Sequence, residues 1–227
     1  LIPNFNGGAS TAELKKSSAT YKVLKGRYQG ADKLIKQMPV YWGPQPFTAG
    51  PMYVGAIMLF FCVLGMFVVK GRYKWALAVT GFLSLFLAWG SNMMWFSEIF
   101  FKYVPLYNKF RTVSTALVVL QITVPLLGIL AVNEIFKGEV DKKTLRTGFI
   151  VSGVLTAGFC LIVAIFPGIA GNFSGAADSS FPKDIVQGLV EDRASILRAD
   201  AFRSLILIFL AAAVLYIINA GKLKQTY

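Results

Sequence analysis

An all-α, polytopic membrane fold is what this sequence predicts, and three observations predict it. Five apolar stretches, near 51–69, 75–94, 113–136, 148–165 and 205–219, approach the length of a membrane-spanning helix. Crossing a hydrocarbon core about 30 Å thick takes about 20 mostly apolar residues at ~1.5 Å each. Alanine, valine, isoleucine, leucine, methionine, cysteine and the aromatics make up 56% of the chain, and mean hydropathy is +0.60. Both values lie above those of soluble domains. The five stretches also carry almost no charge, which a single soluble core of this size could not accommodate.

Residues 1–50 read as a polar and aromatic loop region, and 51–227 as the membrane domain. A polar helix or a pair of short helices is expected over 20–38, broken near Gly26 and Gly30 and ended by Pro39. The next segment, 41–51, holds three prolines and two glycines, so no regular element is expected there. Its Tyr41, Trp42 and Phe47, with Tyr53, suit the headgroup zone, where amphipathic rings partition. Two readings stand: an aromatic anchor before a span, or a rigid platform for a lipid-linked or sugar ligand with Gln45 as a polar contact.

Between the second and third spans, 94–103 reads as an interfacial amphipathic helix with Glu98 and Lys102 at i,i+4. Pro105 ends it. Tyr107, Asn108, Lys109, Phe110 and Arg111 then lead into the long stretch at 113. Lys109 and Arg111 thus stand near the N-terminus of a spanning helix, whose free N–H groups and dipole favour anions. An Arg fork matches phosphate oxygens. The alternative is that both side chains snorkel to headgroups as anchors.

Pro125 is expected to kink the third span. After the fourth span, 168–182 is rich in Gly, Ser and Ala and reads as a flexible connection. A second interfacial helix is expected over 183–202, with Arg193 inside its apolar stripe. Arg193 either meets a ligand or pairs with a neighbouring acid.

Other classes recede. The chain has no His, which removes the commonest general base and metal ligand, and no cofactor is evident. Cys62 and Cys160 fall inside apolar stretches and read as buried hydrophobes. A net charge of +12 spread among the loops, without a nucleic-acid motif, points to anionic headgroups of the lipid bilayer and away from nucleic acid. Glu134 lies at a helix end, and Gln121, Asn133 and Asn219 are merely polar, which weighs against a proton-coupled transporter.

The short loops 70–74 and 137–146 are densest in Lys and Arg, so the positive-inside rule places them in the cytoplasm with the C-terminus. Residues 1–50 are then external. The chain starts at Leu1 with neither Met nor a signal-peptide layout and has an odd number of spans, so it is expected to be the C-terminal portion of a longer protein, with further transmembrane helices upstream.

Residues 1–5 with Gly7 and Gly8, the segment 41–51, Tyr107 to Arg111, and Asp192-Arg193 to Arg203 together resemble the C-terminal half of YfhO-like bacterial membrane proteins, in particular the Bacteroidetes type. The resemblance runs over nearly the whole chain. It implies a multipass protein of the bacterial cytoplasmic membrane related to GT-C glycosyltransferases, which take sugars from polyprenyl-phosphate carriers on the outer face. It also implies that a catalytic acid lies in an external loop this chain lacks. The external acids present, Glu98, Asp192 and Asp200, carry no catalytic motif, so the catalytic residue is unknown. The expected function is donor binding, with Lys109 and Arg111 on the lipid phosphate and Tyr41, Trp42, Gln45, Tyr107, Asn108 and Arg193 as a possible ligand platform. The alternative is a non-enzymatic component for lipid-carrier translocation or envelope-polymer export.

Overall fold

The computed structural model describes the chain except residues 6, 9–11, 44–51, 106, 110–112 and 220–227. All regular structure among the described residues is helical: α1 (Ala19–Arg27), α2 (Ala31–Leu34), α3 (Ala56–Val68), α4 (Tyr73–Ala88), α5 (Met94–Tyr103), α6 (Leu117–Phe136), α7 (Lys142–Gly153), α8 (Phe159–Ile165) and α9 (Lys183–Asn219). Three helical stretches are long and apolar enough to cross a membrane: Ser114–Phe136, Lys142–Ile165 and Lys183–Asn219. The chain is that of a membrane protein.

Two of the five expected spans are shorter than their apolar stretches. Gly55, with φ of 103°, precedes α3, and Gly90, with φ of 48°, follows α4. These are left-handed conformations that stop a helix. The 13 residues of α3 and 16 of α4 reach only about 20 and 24 Å at the usual rise. The fourth span begins earlier than expected, because Asp141 caps its first turn by accepting from Thr144 N–H at 3.0 Å. A single π turn, Val154–Gly158, joins α7 to α8.

The chain forms two compact units. The first comprises Leu1–Ala56 and Val154–Leu210, the second Ile57–Gly153 and Ala211–Tyr227.

In the first unit, α1 begins where Ser18 Oγ accepts from Tyr21 N–H at 3.1 Å. It breaks at Arg27, and Gly30, at φ of 84°, starts α2. Leu24, Ala31, Ile35, Met38 and Val40 close over Ile185 and Leu189 of α9. Gly188 lets α1 approach: a Cβ there would lie 3.0 Å from Thr20 Cα. Ile185 and Leu189 belong to the apolar stripe expected over 183–202. This part of the stripe is covered by the chain's own N-terminal residues, and the helix runs on unbroken to Asn219. No Gly or Pro lies between 189 and 219, so nothing in the backbone divides it. Residues 168–182 are also not a plain connection, since they form the 3-10 turns Pro167–Ala170 and Ala176–Ser180.

In the second unit, α4 packs antiparallel to α6. A Cβ on Gly81 would lie 2.9 Å from Thr123 Oγ1, and Ser84 Oγ donates to Ala116 O. Gly65 and Gly128 bring α3 against α6, with Leu127 and Phe61 as the close neighbours. Gly148 seats α7 on Leu64 and Phe67, and Phe60 meets Phe149 at 6.1 Å. Small residues at contact points are how helices associate where lipid competes for apolar surface.

Candidate functional site

In the second unit the candidate residues follow α5. On α5, Met94, Trp95, Ile99 and Phe101 are exposed, and Glu98 and Lys102 pair at 3.9 Å among them. Rings continue along it, from Trp95 and Phe96 to Phe100. Tyr107 closes this row, 5.6 Å from Phe100 and 5.2 Å from Phe101. Burial raises the Tyr107 phenol above its ordinary range, and its hydroxyl has no partner among the described residues. Lys109 ends the 3-10 turn Tyr107–Lys109, exposed and without an acid partner among the described residues. The backbone of Asn108 belongs to that turn. Its side chain, and Arg111 altogether, lie outside the described residues.

In the first unit Arg193 is 2% exposed. Its Nη1 donates to Asp178 Oδ2 at 2.7 Å and to Phe173 O at 2.7 Å. Its Nη2 donates to Asp178 Oδ1 at 2.8 Å and to Pro39 O at 2.7 Å. The two parallel bonds to one carboxylate are the bidentate geometry that only Arg makes. Burial raises the Asp178 carboxyl, but the Arg193 hydrogen bonds, the Gly175 N–H and the guanidinium charge outweigh it, leaving the group below the usual carboxylate range. Phe173 sits at φ of 57°, unusual for a side chain of its size, which turns its carbonyl into the guanidinium.

The aromatic segment is held by the same residues. Trp42, half-buried, meets Phe173 edge-on at 5.0 Å. Glycines make room for it: a Cβ on Gly7 would lie 2.8 Å from Trp42 Cδ1, and one on Gly175 3.2 Å from Trp42 Cα. Tyr41, also half-buried, adjoins Trp42. Gln45 lies outside the described residues.

The candidate acids are all engaged. Asp192 accepts from Ala19 N–H at 2.7 Å, Thr20 N–H at 2.9 Å and Thr20 Oγ1 at 2.6 Å, a carboxylate on the N-terminus of α1. Asp200 accepts from Asn4 Nδ2. Sequence reasoning missed Asp178 and Phe173, which look like ordinary loop residues. The signal that could have pointed to Asp178 was Arg193 itself, a cation in an apolar stripe that needs a buried anion.

The structure thus brings Trp42, Tyr41 and Arg193 into one packed region, and Tyr107 and Lys109 into one turn beside α5. No protein-family model matches the chain, and no curated protein or solved structure is significantly similar to it.

Proposed function

We propose that the chain is the donor-binding part of an integral-membrane glycosyltransferase, using a polyprenyl-phosphate-linked sugar on the outer face of the bacterial cytoplasmic membrane. The observation that carries this is Lys109: an exposed ammonium without an acid partner among the described residues, set in a turn between an aromatic amphipathic helix and a spanning helix. Such a place puts a cation at headgroup depth, where a lipid phosphate is the natural anion. Arg111 is the second cation of the same segment. Together they would stabilise negative charge on the departing phosphate as the glycosidic bond breaks.

This reading includes five crossings. The close packing of α4 on α6, antiparallel, and of α3 on α6 supports placing the two short apolar helices in the same layer. A span shorter than the core is accommodated by local thinning and by flanking residues that snorkel. Loops 70–74 and 137–146 then face the cytoplasm.

A second reading is a non-enzymatic component for carrier translocation or polymer export. Asp192, Asp200 and Glu98 all have partners, and neither reading assigns them a catalytic role. Sugar transfer by the purified full-length protein separates the two.

Donor-lipid affinity tests the site. In nanodiscs, Lys109→Ala and Arg111→Ala should each weaken binding by about ten- to a hundredfold, the value of one charge-assisted contact. Arg111→Lys should weaken it too, since the ammonium keeps the charge and loses the fork. Wild-type affinity in all three variants would reduce both residues to membrane anchors.

A further inference from the structure

A strongly positive surface of the second unit lies at the opposite end of α6 from Lys109, and the donor-binding reading does not use it. Because α4 and α6 are antiparallel, the start of α4 and the end of α6 share one end of the bundle. The loops there touch: Lys70 Nζ lies 3.5 Å from Glu139 O. Between them, residues 70–74 and 134–146 hold seven Lys and Arg against three acids, a net of +4.

Their contacts show which charges are already balanced. Glu134 is paired with Lys137 at 2.8 Å. Asp141 is turned into the first turn of α7, on Thr144 N–H. Lys74 donates to Met66 O at 3.0 Å and lies 5.7 Å from the Trp75 ring. Glu139 remains as an exposed acid beside Lys70. Arg72, Lys142, Lys143 and Arg146 are exposed and have no acid partner among the described residues.

Two large rings stand in the first turn of α4. Tyr73 is 72% exposed and Trp75 58% exposed, beside Arg72 and Lys74 in the chain. Exposed Tyr and Trp at the end of apolar helices belong to the headgroup region, with acyl chains on one side and water on the other. A nucleic acid or an acidic protein would account for the cations and leave the rings without a partner.

We infer that the paired loops 70–74 and 137–146 form a headgroup site for an anionic glycerophospholipid. Arg72, with Lys142, Lys143 and Arg146, binds the phosphate, while Tyr73 and Trp75 pack on the glycerol and upper acyl region. The inference needs neither the glycosyltransferase reading nor a particular orientation, because both leaflets present such headgroups.

Spin-labelled phosphatidylglycerol and phosphatidylcholine, compared on the full-length protein in bilayers, test it. Each cation near a lipid surface is worth about fivefold in affinity, so phosphatidylglycerol should be retained at least about fivefold better at low salt. The combined variant Arg72→Gln, Lys142→Gln, Lys143→Gln, Arg146→Gln should bring the two lipids level. Should it fail to fold, Lys142→Gln with Lys143→Gln is read in its place and should lose most of the preference. A charge-matched control, Lys15→Gln, Lys16→Gln, Lys22→Gln, Lys25→Gln, should keep it. No preference in the wild type, or equal loss in the control, would overturn the site. So would competition by inorganic phosphate at constant ionic strength, which would identify a soluble anion as the occupant.

Discussion

Asp178 receives both terminal nitrogens of Arg193, at 2.7 and 2.8 Å, and both residues are almost fully buried. Around this ion pair the segments at 39–42, 173–178 and 193 are drawn together, since the same guanidinium also holds the carbonyls of Pro39 and Phe173. A buried pair contributes little over an apolar substitute, but losing one partner strands the other charge.

Arg193→Ala and Asp178→Ala should therefore each destabilise the first unit by about 3–5 kcal/mol. Arg193→Lys should also destabilise it, because an ammonium cannot serve both carboxylate oxygens and two carbonyls in that geometry. Chemical unfolding in nanodiscs, followed by proteolysis of residues 12–43, measures both. A stable Arg193→Lys protein would show that the fork is dispensable.

The pH dependence follows from the lowered Asp178 carboxyl. A group depressed on folding stabilises fully above its unfolded value, about 3.9, and its contribution is lost as pH falls through the folded value. The stability gap between wild type and Asp178→Asn should be constant near neutrality and should close only below about pH 4. A gap that shrinks between pH 5 and 7 would mean that another group titrates.

Glycine substitutions separate strain from crowding. Gly7 and Gly30 both have positive φ, at 102° and 84°, but only Gly7 faces close neighbours, with Trp42 Cδ1 and Val40 O at 2.8 Å from a Cβ. Gly30→Ala should cost about 1 kcal/mol, the backbone penalty alone. Gly7→Ala should cost about 1–3 kcal/mol more, as Trp42 is pushed from its seat. Thermal unfolding of the two variants, ranked against wild type, checks the order.

Within the membrane helices the same comparison applies to Gly148 and Gly153. A Cβ on Gly148 would lie 2.9 Å from Leu64 Cδ1, whereas one on Gly153 meets nothing within 4 Å. Gly148→Val should lower stability by about 1–3 kcal/mol, and Gly153→Val should be near neutral. Melting of the purified variants in one detergent decides it. Equal losses would place a helix or lipid contact at Gly153.

Topology is tested by cysteine labelling. With Cys62 and Cys160 replaced, single cysteines at Ser91 or Ala176 should react with an impermeant reagent on intact cells, and those at Gly71 or Gly138 should not. Reaction at Gly71 would reverse the orientation proposed from loop charge.

The all-helical membrane character, the long helices near 113–136 and 148–165, the broken pair over 20–38 and the helix at 94–103 were all legible in the sequence. Each depends on properties local to a stretch of chain: apolar length, amphipathic spacing and Gly or Pro stops. The tertiary structure decided what covers Ile185 and Leu189 in the stripe of 183–202. Amphipathicity reports that a face is buried, and says nothing about whether lipid or the chain's own Leu24, Ile35 and Val40 bury it. It also decided the partner of Arg193, because a contact 15 residues away in sequence depends on how the 3-10 turn Ala176–Ser180 folds back. The ends of α3 and α4 were likewise beyond composition, since Gly55 and Gly90 stop helices by adopting positive φ, a backbone state that apolarity does not encode.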